Sequence, residues 1–324
     1  MCNYVLPTLA RAYPGSVQML LDALTANQSE GQEVMSNLWA ITAVIKISRR
    51  WGAEAKAGVK APAEPVGGMA TERFLRAALL HVSDDMRLNA LEMICVSNKS
   101  VEPLTMSEVD LIMEFLSYNM KSSSSFYRQR CMELLKKFFV RMRVSQKNIE
   151  GKADKLKTKK AQLNDEQKKL MQDAAAYTRM CDEHLAWLTT FLTGALYPGG
   201  SFERNIMALE LYSTVIDVWM PSVAPHPDIA LNNISITEEQ NHAILQHLFR
   251  PEAVNTVINA IVNTFDVVRN SAFSLISRFP SPLPGLDTPG AVETLCKWAM
   301  TLVVSPRARE SDAGALIIQL VHRK

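Results

Sequence analysis

The sequence predicts an all-α protein built as an α-solenoid of HEAT/armadillo-like helical repeats. Apolar residues recur at intervals of three and four along nearly all of the 324 residues, which is typical of amphipathic helices. Glycine and proline gather at the breaks between these periodic segments, and strand signals are nearly absent. Similar helix beginnings also return along the chain at intervals that fit helical-pair repeats.

Five helices open alike, with a charged or small residue, then an arginine, then a small residue and leucines. Their arginines are spaced by 41, 76, 65 and 40 residues, and the shortest spacings approximate one HEAT/armadillo pair. We expect Asp or Ser to cap the helix, Arg to reach a neighbouring turn or carboxylate, and the small residue to allow close stacking. The alternative is five unrelated amphipathic helices in a bundle. These repeat-structural arginines are Arg87, Arg128, Arg204, Arg269 and Arg309.

The predicted organisation has three parts. Helical repeats occupy 1–145, with a loop at 58–68, and a lysine-rich insertion follows at 146–164. Helical repeats resume over 165–324, with a Pro/Asn-rich loop at 221–236. Three S/T/N-x-x-E/Q patterns predict helix starts by reciprocal capping, at Thr105–Glu108, Asn164–Gln167 and Thr237–Gln240. Further helices are predicted at 17–26, 31–51, 71–82, 84–97, 202–219, 252–264, 267–279, 289–303 and 307–321.

A helix from Phe126 to Arg143 is central to the prediction. At 3.6 residues per turn, seven of its residues share one broad apolar face. They are Tyr127, Cys131, Leu134, Leu135, Phe138, Phe139 and Met142. Basic residues occupy the other side: Arg130, Lys137 and Arg141 in one row, Lys136 and Arg143 in another. The pattern predicts a packing helix that presents positive charge to solvent.

Charge is segregated although the formal net charge is only +2. Between Lys121 and Lys169 there are 15 basic and 5 acidic residues, a net +10, and the remainder carries −8. One interpretation is phosphate binding without sequence reading; the other is a solvated, partly disordered insertion with few apolar anchors. Interleaved aromatics, which would favour single-strand stacking, are absent. The candidate phosphate contacts are Arg130, Lys137, Arg141, Arg143, Lys152, Lys155, Lys157, Lys159 and Lys160.

No sequence motif points to catalysis or to a resident cofactor. Phosphate-binding loops, HExxH, GxSxG and paired-cysteine metal sets are absent, so we expect neither an enzyme, a metal site nor a small-molecule substrate. The five scattered cysteines are typical of reduced thiols in a cytoplasmic or nuclear protein. No signal peptide or membrane-spanning run is predicted. Because the last helix is apolar almost to Lys324, we expect further repeats on both sides of this chain.

Three segments resemble the central conserved region of the THADA (thyroid-adenoma-associated) family. They are ALLHVSDDMRLNALEMICVSNKS from Ala78, MSEVDLIMEFLSYNMKSSSSFYRQRCMELLKKFFVRMR from Met106, and DVVRNSAFSLISRFPSP from Asp266. The resemblance extends roughly from Leu9 to Val321 and is weaker across Gln146–Gln172.

This resemblance implies a very long helical-repeat protein that assists a partner enzyme. The partner would be a 2′-O-ribose methyltransferase acting on the tRNA anticodon loop at nucleotide thirty-two, and it would hold S-adenosylmethionine. The family offers no catalytic residue to assign here. The alternative function is a protein-interaction adaptor, for example a regulator of a calcium pump or of signalling, which does not bind RNA.

Overall fold

The computed structural model describes residues 68–96, 101–157, 164–220 and 244–324, together with Thr8, Ala12, Tyr13 and Met19. Within these segments no residue is in a strand, and the predicted all-α class is confirmed. The helices are α1 (Gly68–Leu79), α2 (Asp84–Cys95), α3 (Met106–Asn119), α4 (Ser125–Lys157), α5 (Asp165–Ala195), α6 (Phe202–Trp219), α7 (Pro251–Ala260), α8 (Asp266–Ile276), α9 (Pro289–Val303) and α10 (Ala308–Arg323).

The chain divides into two compact units. Residues 1–118 and 129–141 form the first, and residues 119–128 and 142–324 form the second, so α4 contributes to both. In the first unit α1 packs on α2. In the second, α5 packs on α6, α7 on α8, and α9 on α10. These pairs also stack on one another, through α5 with α7, α6 with α8, and α8 with α10, which is how a helical-repeat solenoid buries its core.

Most predicted helices lie within three residues of their observed bounds, and those at 202–219 and 289–303 match them. The predicted loop at 58–68 overlaps the start of α1 at Gly68, and the rest of it lies outside the described residues. Also outside are the predicted helix at 17–26 apart from Met19, the predicted helix at 31–51, the loop at 221–236 and the capping box at Thr237.

Helix α4 is longer than predicted. It continues from Ser125 to Lys157, so residues 146–157 belong to it and do not begin a disordered insertion. The reason is that this polar continuation finds partners on α5. The Ser145 hydroxyl lies 2.7 Å from the Tyr177 hydroxyl, and Thr178 donates to the Glu150 carboxylate at 3.4 Å. Residues 158–163 lie outside the described part of the chain.

Two of the predicted capping boxes form as expected. Ahead of α3, the Thr105 N–H donates to the Glu108 carboxylate at 2.9 Å and the Glu108 N–H donates to the Thr105 hydroxyl at 3.2 Å. Ahead of α5, Asn164 and Gln167 exchange the same two bonds, at 3.1 and 2.8 Å. Each reciprocal pair satisfies two amide donors that have no partner within the helix.

Three of the repeated arginines bond to groups at or just before the start of their own helices. Arg128 donates to the carbonyls of Ser122 and Ser123, six and five residues earlier, at 2.7 and 2.9 Å. Arg269 makes the same two contacts, with Asn263 and Thr264, at 3.0 and 3.2 Å. Arg87 instead pairs with the Asp84 carboxylate. All three occupy the fourth position of their helices. Arg128 and Arg269 tie the helix to its preceding turn, whereas Arg87 bonds to the first residue of its own helix.

Arg204 and Arg309 depart from this register. Arg204 is the third residue of α6, and its guanidinium lies over Gly200, where an added Cβ would be only 2.6 Å from Nη2. Arg309 is the second residue of α10 and is exposed. The small residue that follows each repeated arginine is buried in all five helices. These residues are Ala90, Cys131, Ala208, Ala272 and Ala313, each 0% exposed.

Further arginines join neighbouring helix pairs in the second unit. Arg250, just before α7, donates to the Thr190 hydroxyl of α5 at 2.6 Å. Arg278, just after α8, donates to the Asp217 carboxylate of α6 at 2.5 Å. Gly314 of α10 packs so closely on α9 that an added Cβ would lie 2.7 Å from the Ala299 carbonyl oxygen. These contacts keep adjacent repeats in fixed register.

Candidate nucleic-acid interface

The apolar face predicted for α4 forms the helix's core contact. All seven predicted residues, from Tyr127 to Met142, are 0% exposed. The Phe138 and Phe139 rings meet edge to face, with their centroids 5.9 Å apart. Tyr127 also donates its buried hydroxyl to the Asn119 side chain at 2.9 Å. The apolar half of the helix was therefore predictable from its spacing alone.

The basic half of α4 differs from the prediction at Arg141. This side chain is buried in the first unit, with 7% of the residue exposed. Its guanidinium donates to the carbonyls of Ile94, Glu102 and Pro103 at 3.0, 3.0 and 3.1 Å, and it lies 3.4 Å from the Glu108 carboxylate. Arg141 joins the end of α2 to the capping box of α3, and a phosphate has no access to it.

Arg143 is also buried, within the second unit, at 2% exposure. One guanidinium nitrogen donates to the Gln146 side chain at 3.3 Å, while Nε and Nη2 make no hydrogen bond. Burial lowers the pKa of Arg143, although the carboxylates of Glu150 and Asp182 oppose the shift. The predicted phosphate contacts at Arg141 and Arg143 are therefore wrong. Every residue from Phe138 to Gln146 is buried, so α4 has no solvent face over this stretch.

The other predicted contacts on the first half of α4 reach solvent. Lys137 is exposed. Arg130 is partly exposed and pairs with Glu133 at 2.7 Å, three residues later on the same helix. An exposed pair of this kind contributes little stability, so Arg130 can exchange its partner at low cost. These two side chains form a small basic surface on the first unit.

A seam of polar side chains joins the second half of α4 to α5. Gln146 donates to the Asp182 carboxylate at 3.4 Å, and Glu150 accepts from Thr178 at 3.4 Å. From Gln146 to Glu150 the α4 residue advances by four positions, while its α5 partner goes back by four, from Asp182 to Thr178. The two helices therefore run antiparallel. Lys147 donates to Glu150 at 2.9 Å. Burial raises the pKa of Asp182 and lowers that of Lys147, because both charges are partly withdrawn from water.

From this seam outwards, and including Lys147 and Glu150, the two helices form what we call the hairpin arm, residues 147–157 and 164–176. Where side-chain exposure is described in the arm, only the small residues Ala153 and Ala174 are buried. The rest of the arm is intermediate or exposed. The predicted lysine-rich insertion is thus helical over the part that is described.

Four lysines on the arm reach solvent. Lys152 and Lys155 lie on α4, and Lys168 and Lys169 lie on α5. Lys168 pairs at 3.2 Å with Asp165, whose side chain is fully exposed. Lys157 is helical, but its side chain lies outside the description, as do Lys159 and Lys160. Two of the predicted lysines and two lysines that were not predicted are therefore exposed on the arm.

The sequence contained a signal for the α5 half of the arm. The Asn164–Gln167 capping box predicts a helix start directly after the lysines, so a helix–loop–helix could have been inferred. The polar seam had no such signal. Ser145, Tyr177 and Asp182 become partners only when two helices align antiparallel, and hydrophobic periodicity carries no information about polar pairing.

Among the described residues, the side chains that could take part in catalysis or metal binding are either buried or too far apart to form a cluster. Burial raises the pKa of the Cys181 thiol to about 12 and lowers that of the His184 imidazole to about 4. His184 stacks on Trp187, with the ring centroids 5.7 Å apart. Among the described residues no group of three or more His, Cys, Asp or Glu could hold a metal ion. Over the same residues, no helix combines the length and apolar character needed to cross a membrane.

The family model described as "Trm732, TPR repeats" matches residues 1–270. The chain is 25% identical over 322 residues to the "tRNA (32-2′-O)-methyltransferase regulator THADA" of Gallus gallus. The proteins of the same name from Mus musculus and Homo sapiens are 22% and 23% identical, over 323 and 331 residues. These alignments cover 98–99% of this chain but 16% of each relative. The resemblance to the THADA family is confirmed.

Two solved structures of artificial proteins are similar at low level. An engineered protein is 12% identical, with a TM-score of 0.31, and the alignment covers 95% of this chain and 96% of that one. A computationally designed armadillo repeat protein for modular peptide recognition is 11% identical, with a TM-score of 0.32 and coverage of 94% and 99%. Similarities this distant carry no functional argument.

Proposed function

We propose, because this chain belongs to the Trm732 family of TPR-repeat proteins, that it is a regulatory part of a tRNA-methylation assembly. It assists a partner 2′-O-methyltransferase that acts on nucleotide 32 of tRNA, as named for its relatives. The observation that carries this proposal is similarity to those regulators across 98% of the chain. Because the chain spans 16% of their length, it supplies one part of the role of such a protein.

The chain's own contribution is binding and positioning. The partner enzyme holds S-adenosylmethionine and performs the methyl transfer, in the cytoplasm. The stacked helix pairs of the second unit offer a surface for a protein partner, which is the common use of helical repeats. Exposed lysines and arginines bind the phosphates of the tRNA. Such contacts would orient a polyanion while leaving the choice of nucleotide to the enzyme.

The phosphate contacts are divided between two surfaces, in keeping with the two units. Arg130 and Lys137 supply the surface on the first unit. Lys152 and Lys155 supply the surface on the second unit, and Lys157, Lys159 and Lys160 continue it in the sequence. Arg141 and Arg143 stabilise the fold and take no part in RNA binding.

The test combines association with activity. The tagged chain is expressed in cells, recovered, and its bound proteins and RNAs are identified; we expect a 2′-O-methyltransferase and tRNA. The purified chain is then added to that enzyme with tRNA and S-adenosylmethionine, and methylation at nucleotide 32 is measured. Stimulation of methylation supports the proposal. Failure to bind the enzyme, together with no change in methylation, would overturn it.

The result also separates the adaptor alternative. A chain that captures a calcium-pump or signalling protein but no RNA is a protein-interaction solenoid. In that case, alanine at Lys152 and Lys155 leaves partner capture unchanged.

A further inference from the structure

We propose that the hairpin arm binds the phosphate backbone of double-helical RNA, such as a tRNA stem, and not a single-stranded loop. This inference rests on the proposed function, because that function supplies RNA as the polyanion. It adds that the arm grips a different part of the RNA from the loop on which the partner enzyme acts.

The first argument is the chemistry of the arm. Residues 147–157 and 164–176 contain six lysines but no arginine, phenylalanine, tyrosine or tryptophan. Recognition of single strands depends on stacking bases against aromatic rings or guanidinium planes. Lysine offers a compact, hydrated point charge with no flat face, which suits phosphate oxygens and does not read bases. The arm therefore lacks the groups that favour a splayed-out strand.

The second argument is the rigidity of the charges. Lys152 and Lys155 lie on a continuous helix, at positions separated by about 4.5 Å along its axis. Lys168 and Lys169 lie in the first turns of α5, which begins with the complete Asn164 capping box. Charges held on helices have fixed spacing. They match a regular array of phosphates better than a flexible strand, which would have to lose entropy to fit them.

The third argument is the absence of an apolar target surface. Leu170 is the one large apolar side chain of the described arm that is clearly exposed, at 45%. A protein partner would need an apolar centre to its interface, whereas RNA phosphates need none. The seam at Gln146 and Glu150 anchors the arm, so its outer faces remain available to a ligand.

The experiment measures binding of the intact chain to a labelled RNA duplex of about 16 base pairs, the length that a double-stranded-RNA domain spans. The sequence of the duplex is unrelated to tRNA, and each separated strand is measured in parallel at several salt concentrations. We expect tighter binding of the duplex than of either strand. Tighter or equal binding of a strand would overturn the proposal.

The matching variant replaces Lys152, Lys155, Lys168 and Lys169 with alanine. We expect at least a tenfold loss of duplex affinity, and a salt dependence that flattens by about 0.9 in log–log slope for each contact removed. Unchanged affinity would overturn the proposal. Arginine at the same four positions should restore binding, because it keeps the charge.

A second quadruple alanine variant, at exposed Lys121, Lys297, Arg307 and Arg309, controls for net charge and should bind as the natural chain does.

The two proposals fail in different ways. If the arm variant loses duplex binding but the natural chain neither binds nor stimulates the methyltransferase, the arm proposal stands and the proposed function falls. If the natural chain stimulates methylation, and the arm variant both stimulates methylation and binds the duplex as the natural chain does, the arm proposal falls alone.

Discussion

Two buried arginines, two residues apart on α4, occupy opposite kinds of environment. Arg141, in the first unit, donates to three backbone carbonyls and pairs with the Glu108 carboxylate. Arg143, in the second unit, donates once, to Gln146, and two of its nitrogens make no hydrogen bond. All three guanidinium nitrogens of Arg141 therefore have hydrogen-bond partners, whereas only one of the three in Arg143 does.

The difference shows that burial alone does not reveal what a charged residue contributes. A buried charge repays its lost hydration only when its donors are paired. Arg141 on α4 donates to main-chain carbonyls at the end of α2 and just before α3, and it pairs with the Glu108 carboxylate of α3, so it is a structural crosslink. Arg143 lies beside the polar seam, where Glu150 and Asp182 act on it through charge.

The largest expected effect tests the Arg141 side of this contrast. Replacing Arg141 with methionine leaves Glu108 buried without its cation, and we expect a loss of about 3–5 kcal/mol in the free energy of unfolding. Urea denaturation followed by circular dichroism measures it. Adding Glu108→Gln should recover part of the loss, because glutamine removes the stranded charge and keeps the capping box. A loss below about 1 kcal/mol would contradict the assignment of Arg141 as a crosslink.

The second prediction uses His184, a buried titratable group on α5 whose pKa shift has burial as its one cause. Its pKa falls from 6.5 when unfolded to about 4 in the fold. The unfolded chain therefore takes up the proton first as pH falls. Stability is complete above pH 6.5 and is lost progressively down to about pH 4, by up to about 3 kcal/mol.

Denaturation curves collected across this pH range test the His184 prediction. The variant His184→Phe keeps an aromatic ring beside Trp187 and cannot titrate, so its stability should vary less over the same interval. Equal pH dependence in both proteins would mean that His184 is already accessible to protons in the folded state.

The third prediction concerns the cap that begins the arm's second helix. Asn164→Ala removes the side chain that accepts from the Gln167 N–H, and we expect a cost of about 1 kcal/mol. Hydrogen exchange should accelerate in the first turn of α5 and remain unchanged near Asp182, where the seam holds the helix. Gln167→Ala, which loses the reciprocal bond, should have a smaller effect. Acceleration along all of α5 would show that the cap, and not the seam, holds the arm.

The smallest effect is expected at Arg143. Arg143→Met removes two unbonded donors and also some attraction to nearby carboxylates, so stability should stay within about 1 kcal/mol of the natural protein. The Arg141→Met variant, measured under the same conditions, is the matched comparison. If both substitutions destabilise equally, the contrast between the two environments has no energetic meaning.

The sequence predicted those features that depend on local pattern. Spacing within one helix accounts for the apolar face from Tyr127 to Met142 and for the Thr105 and Asn164 capping boxes. It also accounts for the bonds that Arg128 and Arg269 make to the turns before their helices. Their partners lie within a few residues, so the spacing alone identifies them.

The features that sequence reasoning missed depend on distant residues. Arg141 is buried by carbonyls up to 47 residues away, and a helical wheel that assumes one solvent face cannot anticipate this. The lysine-rich stretch resembles an unfolded segment in composition, yet residues 146–157 are helical and pair with α5. The repeated arginines at Arg204 and Arg309 matched the pattern in sequence but lie at different helix positions.

The hydrogen bond between Glu150 and Thr178 is one of the polar ties that hold α4 against α5. From Glu150 to Lys157 the helix advances by about 10 Å, so that part of α4 acts as a lever with the seam as its fulcrum. A tilt of about 10° at the fulcrum displaces the end of the lever by about 2 Å, less than one helical turn.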